Sequence, residues 1–163
     1  MRRNIEFKRL TDVEQSEIIE LMNNPLVRRQ MPLAPDPFVQ SDCEAFVAAK
    51  EQFWADYGYG PSAFVVDGRF AGWGGLQPEG GEADVGLVLH PDYWGLGKHL
   101  FAEIIFRAFG EMGFDAVTVL LPPTRTKIKG ILRFGFKPDG TIEIEQRQFL
   151  RYRLKKSDAR GLW

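Results

Sequence analysis

The sequence holds one cysteine, Cys43, and two histidines, His90 and His99, in 163 residues. A lone thiol makes no internal disulfide, and these three residues show no metal-ligand spacing, so no metal is expected. There is also no charge excess: 21 Lys and Arg stand against 22 Asp and Glu, for a formal net charge of −1. Surfaces that neutralise phosphates usually carry a basic excess, so nucleic acid is not expected as a partner. No apolar run approaches the roughly 18 residues that cross a bilayer. The opening MRRNIEFKRL has three arginines, and the pair at its start has no apolar stretch behind it, so neither a membrane partner nor a signal peptide is expected, and the cytoplasm is the expected compartment. With 17 Gly and 10 Pro the chain is not collagen-like or of low complexity. What is present is an ordinary globular mixture, 44% hydrophobic and 26% charged, of a length that suits one domain over residues 1–163.

Hydrophobic periodicity divides the chain. Asn4 to Arg9 alternates as a short strand. Thr11 and Glu14 form a capping-box pattern ahead of a helical stripe at Val13, Ile18, Ile19, Leu21 and Met22. A short helix over Leu26 to Gln30 and a proline-rich loop follow, then a second capping-box pattern, Ser41 and Glu44, before a helix through Phe46, Val47, Phe53 and Trp54. Strands Ser62–Val66 and Phe70–Leu76 flank Asp67-Gly68, a hairpin signal. Ala83–His90 reads as a central strand, Gly97–Met112 as the clearest helix, and Phe114–Leu121 as a buried strand. Strand, helix, strand predicts a parallel pair. A helix over Thr124–Phe134 and a last hairpin, Thr141–Glu145 with Gln148–Leu154, complete the reading, and the tail from Lys155 is expected to fray.

Chemistry concentrates in His90-Pro-Asp-Tyr-Trp-Gly-Leu-Gly-Lys-His99. A buried strand ends, two glycines follow, and a long helix begins. The first amides of a helix lack intrahelical partners and carry the positive end of its dipole, which suits a phosphate or diphosphate. Gly95 and Gly97 allow close backbone approach, and Lys98 adds a charge. Two glycines alone favour a plain turn before a helix; the context of strand, Gly-x-Gly-Lys, long amphipathic helix and strand raises the functional reading. The stretch is not a P-loop, because His99 stands where Ser or Thr is needed. Nor is it the dinucleotide fingerprint, since the third glycine is missing.

Over Ile5 to Leu154 the chain resembles a GNAT-superfamily N-acetyltransferase, in particular the branch of ribosomal-protein N-terminal acetyltransferases. The resemblance rests on the element order and on Tyr93-Trp94-Gly95-Leu96-Gly97, which is similar to the family's acetyl-CoA signature at the start of the long helix. It rests also on Leu26-Val27-Arg28-Arg29 after Asn24-Pro25, on Phe70-Ala71-Gly72-Trp73-Gly74-Gly75, and on Gly135-Phe136. His99 departs from the family's Gly or Ala, and Thr124 and Lys127 stand where the family has Asn and Ser.

The resemblance implies an α/β (α+β) fold: a mixed, mostly antiparallel sheet of about seven strands flanked by four helices, with two splayed parallel strands making a CoA cleft. It implies acetyl-CoA as cosubstrate, a small-molecule or peptide amine as acceptor, and a homodimer as one oligomeric state. By this resemblance Leu87 and Leu89 pair with the pantetheine arm, while Trp94, Gly95, Leu96, Gly97, Lys98 and His99 hold the diphosphate, with Lys127 or Lys129 as a further phosphate contact. Asp84 takes the place of the family's catalytic Glu and is the candidate base. Its reading as a solvated carboxylate at a strand start stays open. The family's acid, a Tyr, falls at Ile131, which leaves Tyr93, Tyr57, Tyr59 or unassisted departure of the thiolate. Cys43 and the aromatic residues Phe38, Phe46, Phe53, Trp54 and Phe64 read mostly as core, with lining of the acceptor cleft open for some of the aromatics, and Arg147, Arg151 and Arg153 read as a solvated strand face or a partner surface. Two further functions stay open: a catalytically weak acyl-CoA-binding or regulatory module, and a structural domain with no CoA site.

Overall fold

Where apolar residues recur every second position the chain forms strands, and where they recur at 3.6 it forms helices. In the computed structural model, which describes residues 3–159, the elements are β1 (Ile5–Lys8), α1 (Gln15–Asn23), α2 (Pro25–Arg28), α3 (Gln40–Tyr57), β2 (Pro61–Val66), β3 (Arg69–Glu79) and β4 (Glu82–Leu89). They continue with α4 (Gly97–Gly110), β5 (Ala116–Leu121), α5 (Lys129–Phe134), β6 (Lys137–Ile144) and β7 (Arg147–Lys155). The strands form one seven-stranded sheet in the order β1-β2-β3-β4-β5-β7-β6. The pairings β1–β2, β2–β3, β5–β7 and β6–β7 are antiparallel, as expected for a mostly antiparallel sheet, with the register shifting at Phe64/Val65 in β2–β3 and between Pro138 and Thr141 in β6–β7. β4 and β5 are parallel, as the strand-helix-strand order requires. Five α-helices occur among the described residues, as many as periodicity marks and one more than the resemblance implies.

The chain packs as two compact units. The first runs through Gln77 and adds Gly86–Gly97; the second takes Pro78–Val85 and the chain from Lys98 onward. In the first, Leu10, Ile18, Leu21, Met22, Val27, Phe38, Cys43, Val47, Ala63 and Trp73 form one buried cluster. Asn23 clasps the proline-rich loop to α1: its amide donates to the Phe38 carbonyl at 2.7 Å and its oxygen accepts the Phe38 N–H at 2.9 Å. Asp67 and Gly68 both have positive φ, 50° and 81°, the backbone that a two-residue hairpin turn needs. In the second unit the α4 stripe buries Leu100, Ile104, Ile105, Ala108 and Phe109, and Phe101 lies 5.1 Å and 5.9 Å, ring to ring, from Phe134 and Phe136.

Several expected boundaries shift. Residues 10–12 form a 3-10 turn, and α1 starts after Glu14 with no side-chain cap, so Thr11 and Glu14 make no capping box. Ser41 does not cap α3 either; the Val39 N–H is taken by the Asp42 carboxylate at 2.9 Å. α4 ends at Gly110, which leaves Met112 beyond the helix and exposed. The helix expected from Thr124 begins only at Lys129, because Thr124, Arg125, Thr126 and Lys127 offer no apolar stripe and two β-branched residues. The tail is strand to Lys155 and a 3-10 turn over Lys156–Asp158; the rest of the expected frayed segment, 160–163, lies outside the described residues.

Candidate functional site

β4 ends at Leu89, and the following residues do not form an open glycine loop. Pro91–Leu96 is a 3-10 helix that runs directly into α4. His90 caps it: its Nδ1 accepts the Asp92 N–H at 3.1 Å, a specific duty for a residue expected merely to end a strand. The Gly97 N–H donates to the Trp94 carbonyl, so one of the amides expected to be free is engaged within the turn. The Trp94 indole N–H donates to the Leu89 carbonyl at 2.9 Å and so ties the turn to the strand end.

The two glycines have no structural reason to be glycine. Gly97 sits in right-handed helical backbone, and a Cβ there would meet only Leu89 and Leu87 side chains at 3.8 Å and 3.9 Å; one at Gly95 would meet nothing within 4 Å. Contrast Gly72 on β3, where a Cβ would lie 2.1 Å from the Val88 carbonyl oxygen. Leu87, Leu89, Trp94 and Gly97 are thus brought together, and Lys98 and His99 follow as exposed side chains on the first turn of α4. Lys127 is exposed in the segment before α5, where its carbonyl accepts from the Arg125 guanidinium at 3.4 Å.

Asp84 is no solvated strand-start carboxylate. It is 7% exposed, one of the few buried polar residues. The Thr118 hydroxyl donates to its Oδ1 at 2.9 Å, and Thr118 is its partner in the parallel β4–β5 pair. Burial pushes the Asp84 carboxyl up to about 7, against the pull of the Thr118 hydrogen bond and with a further push from Glu79. Strand alternation puts Glu82 and Asp84 on one face of β4.

Thr118 and the surrounding ion pairs are what sequence reasoning missed. Arg153, read as part of a solvated face, is instead gripped by Glu82 at 2.9 Å and 2.7 Å and by Asp139 at 2.9 Å. Arg151 also meets Asp139, at 3.1 Å, and only Arg147 of that trio is exposed. No spacing rule links residues 82, 139 and 153, so nothing in the sequence pointed to this group. Of the alternative acids, Tyr57 is 59% exposed, burial raises the Tyr59 phenol, and Tyr93 lies beside the His90 ring at 6.4 Å. One surface cavity, about 870 Å³, lies beside Asp115, Arg153 and Lys155, and another, about 360 Å³, beside Glu17, Glu20 and His90; the smaller is also lined by Tyr93, one of the candidate acids, and neither lining includes Asp84 or the expected CoA contacts. Among the described residues no helix is long and apolar enough to cross a membrane.

Residues 4–133 match the acetyltransferase (GNAT) domain model, and the chain belongs to that family. The solved structures agree on the fold. An acetyltransferase from Agrobacterium tumefaciens superposes with a TM-score of 0.76 at 14% identity, covering 96% of this chain and 94% of that one. Spermidine N-acetyltransferase from Vibrio cholerae, in complex with CoA and spermine, gives 0.69 at 14% identity with 96% of both chains covered. An aminoglycoside acetyltransferase in complex with coenzyme A gives 0.69 at 12% identity, again with 96% of both covered. No curated protein sequence matches the chain.

Proposed function

We propose that the chain is one acyltransferase domain that moves an acetyl group from acetyl-CoA to a primary amine. The observation that carries this reading is Asp84, a buried carboxyl on β4 of a GNAT fold that titrates near neutrality. A base is most useful when its pKa lies near the working pH, and burial supplies that here. The amine nitrogen attacks the thioester carbonyl carbon, the C–S bond breaks, the nitrogen's proton passes to Asp84, directly or through a water, and the thiolate takes a proton from solvent. An α-amine, with a reference pKa of about 7.7–8, suits such a base better than a lysine near about 10.4.

The cosubstrate is assigned to the turn after β4. The pantetheine arm pairs with the backbone of Leu87 and Leu89, as an added strand does. The diphosphate lies against Trp94, Gly95, Leu96 and Gly97, with Lys98 and His99 offering exposed side chains and Lys127 a further charge. The unexplained glycines at 95 and 97 support this reading, since they leave room that no protein atom claims. The acceptor class follows the neighbours named above, a small-molecule amine, with a peptide N-terminus as the alternative.

A second reading has one observation of its own. Ile131 is half-buried on α5 where the resemblance implies an acid, which favours a module that binds acyl-CoA with little turnover. Incubation with acetyl-CoA and a panel of amines, following free thiol release, separates the two. Turnover that disappears in Asp84→Asn supports transfer; tight CoA binding with no thiol release on any amine supports the module.

A further inference from the structure

Asp84, Thr118 and Arg153 form a row across three strands. Asp84 pairs with Thr118 between β4 and β5, and Thr118 pairs with Arg153 between β5 and β7. Directly paired residues share a face of the sheet. The end of the row, Arg153, is bound by Glu82 and Asp139. The middle, Thr118, is 1% exposed and gives its hydroxyl to Asp84.

We propose that Thr118 is a positioning residue for acetyl transfer: its hydroxyl holds Oδ1 of Asp84, fixes the plane of the carboxyl, and leaves Oδ2 as the oxygen that receives the proton of the attacking amine. The inference rests on the reading of Asp84 as base. A β-branched side chain in a strand has a restricted χ1, so a buried Thr is a rigid donor. A carboxyl held at one oxygen presents the other in one orientation, and a misplacement of about 1 Å at a reacting group costs about a hundredfold in rate. The same bond tunes the charge. Burial and Glu79 from β3 favour the neutral acid, and the Thr118 hydroxyl favours the carboxylate. Of the charged groups on the neighbouring strands, Glu82 on β4 and Asp139 on β6 bind Arg153 on β7, and Asp139 also meets Arg151.

Thr118→Val removes the hydroxyl at nearly constant shape, Thr118→Ala is a second variant without it, and Thr118→Ser keeps it. Two measurements apply to each: the titration of the Asp84 carboxyl by carbon NMR, and the pH profile of acetyl transfer with free thiol as readout. Without the hydroxyl, the Asp84 midpoint rises by about one unit, so the ionised fraction at neutral pH falls about fivefold. kcat at neutral pH falls at least as far, the acidic limb of the rate profile, where the base ionises, moves up with the midpoint, and KM for acetyl-CoA stays put. Thr118→Ser restores both. An Asp84 midpoint unmoved in Val and Ala, or a failed rescue by Ser, overturns the proposal. A midpoint that moves while the active wild type and the variants share one rate profile overturns the positioning role and leaves acetyl transfer standing. Absence of transfer in the wild type, with the midpoint still moving, overturns the acetyltransferase reading and the catalytic role of Thr118 with it, while the Thr118–Asp84 coupling stands.

Discussion

The indole N–H of Trp94 donates to the carbonyl oxygen of Leu89 at 2.9 Å, although Trp94 as a residue is 44% exposed. Leu89 is the last residue of β4, and Trp94 lies in the 3-10 helix that leads to α4. The bond therefore ties the 3-10 turn back onto the strand end. A sequence reading gives Trp94 a place beside a diphosphate; the structure gives it a second task, holding the turn in shape.

Trp94→Phe keeps the ring and loses that bond. A neutral hydrogen bond contributes about 1 kcal/mol net, so the variant melts a few degrees lower. CoA affinity falls several-fold because the turn loses its anchor. Thermal melts and calorimetric titration with CoA read the two effects; unchanged affinity would return Trp94 to a purely structural role.

Gly97 and Gly72 respond in opposite ways to one added methyl. Gly97→Ala meets only ordinary contacts in helical backbone, so stability is kept or rises by about 0.5–1 kcal/mol. Its CoA affinity falls, since the methyl occupies the approach to the turn. Gly72→Ala drives a Cβ to 2.1 Å from the Val88 oxygen and loses about 3 kcal/mol or more. Melting curves with and without CoA distinguish the pair. A Gly97→Ala variant that binds CoA like the wild type would remove the diphosphate from this turn.

Asp84→Asn exchanges activity for stability in a pH-dependent way. In the folded protein the carboxyl titrates at about 7, against 3.8 unperturbed. Between those values the unfolded chain is ionised and the folded one holds its proton. Wild-type stability therefore falls as pH rises from about 4 to about 7, and is level above that, by an amount on the order of 4 kcal/mol. Asn cannot ionise. The variant's advantage in Tm opens through that window and is full above pH 7, while turnover drops about a hundredfold. Equal Tm curves for the two proteins from pH 4 to 8 would contradict the buried, shifted carboxyl.

Glu82→Gln loosens the grip on Arg153. Glu82 is held below the usual carboxylate range, first by its hydrogen bonds from Arg153. With its charge gone, Arg153 keeps Asp139 and its field is less fully neutralised in the row that contains Asp84. The Asp84 carboxylate then gains support, and its titration midpoint falls below that of the wild type. Carbon NMR of the Asp84 carboxyl measures it; a midpoint that stays or rises would show that Arg153 is not electrically coupled to Asp84.

Periodicity and turn chemistry were enough for much of the architecture. The 3.6-residue stripe of α4 marked Leu100, Phe101, Ile104, Ile105, Ala108, Phe109 and Met112; five are buried, Phe101 is half-buried, and Met112 lies exposed past the helix end. Asp67-Gly68 marked a hairpin because few residues tolerate the φ it needs. The turn at Glu145 and Gln146 carried no such mark, yet both have positive φ, 48° and 66°, imposed by the β6–β7 pairing on residues that do not favour it. The caps went astray for a related reason. Ser41 and Glu44 had the right spacing, but Asp42 sits one turn position better placed for the Val39 N–H, and a choice between neighbouring side chains depends on where the loop enters.

What the sequence determined by itself is what acts over a few residues or a regular period: the helices with strong stripes, the hairpin turns, the parallel strand pair, and the segment from His90 to His99 as the place to look for a ligand. The tertiary structure alone decided what happens between residues far apart in the chain. It buried Asp84, brought it a hydroxyl from Thr118, 34 positions on, and closed Glu82, Asp139 and Arg153 into one ion-paired group. An acid's strength depends on the dielectric and the donors around it, and those come from neighbouring strands, whose register no local pattern specifies.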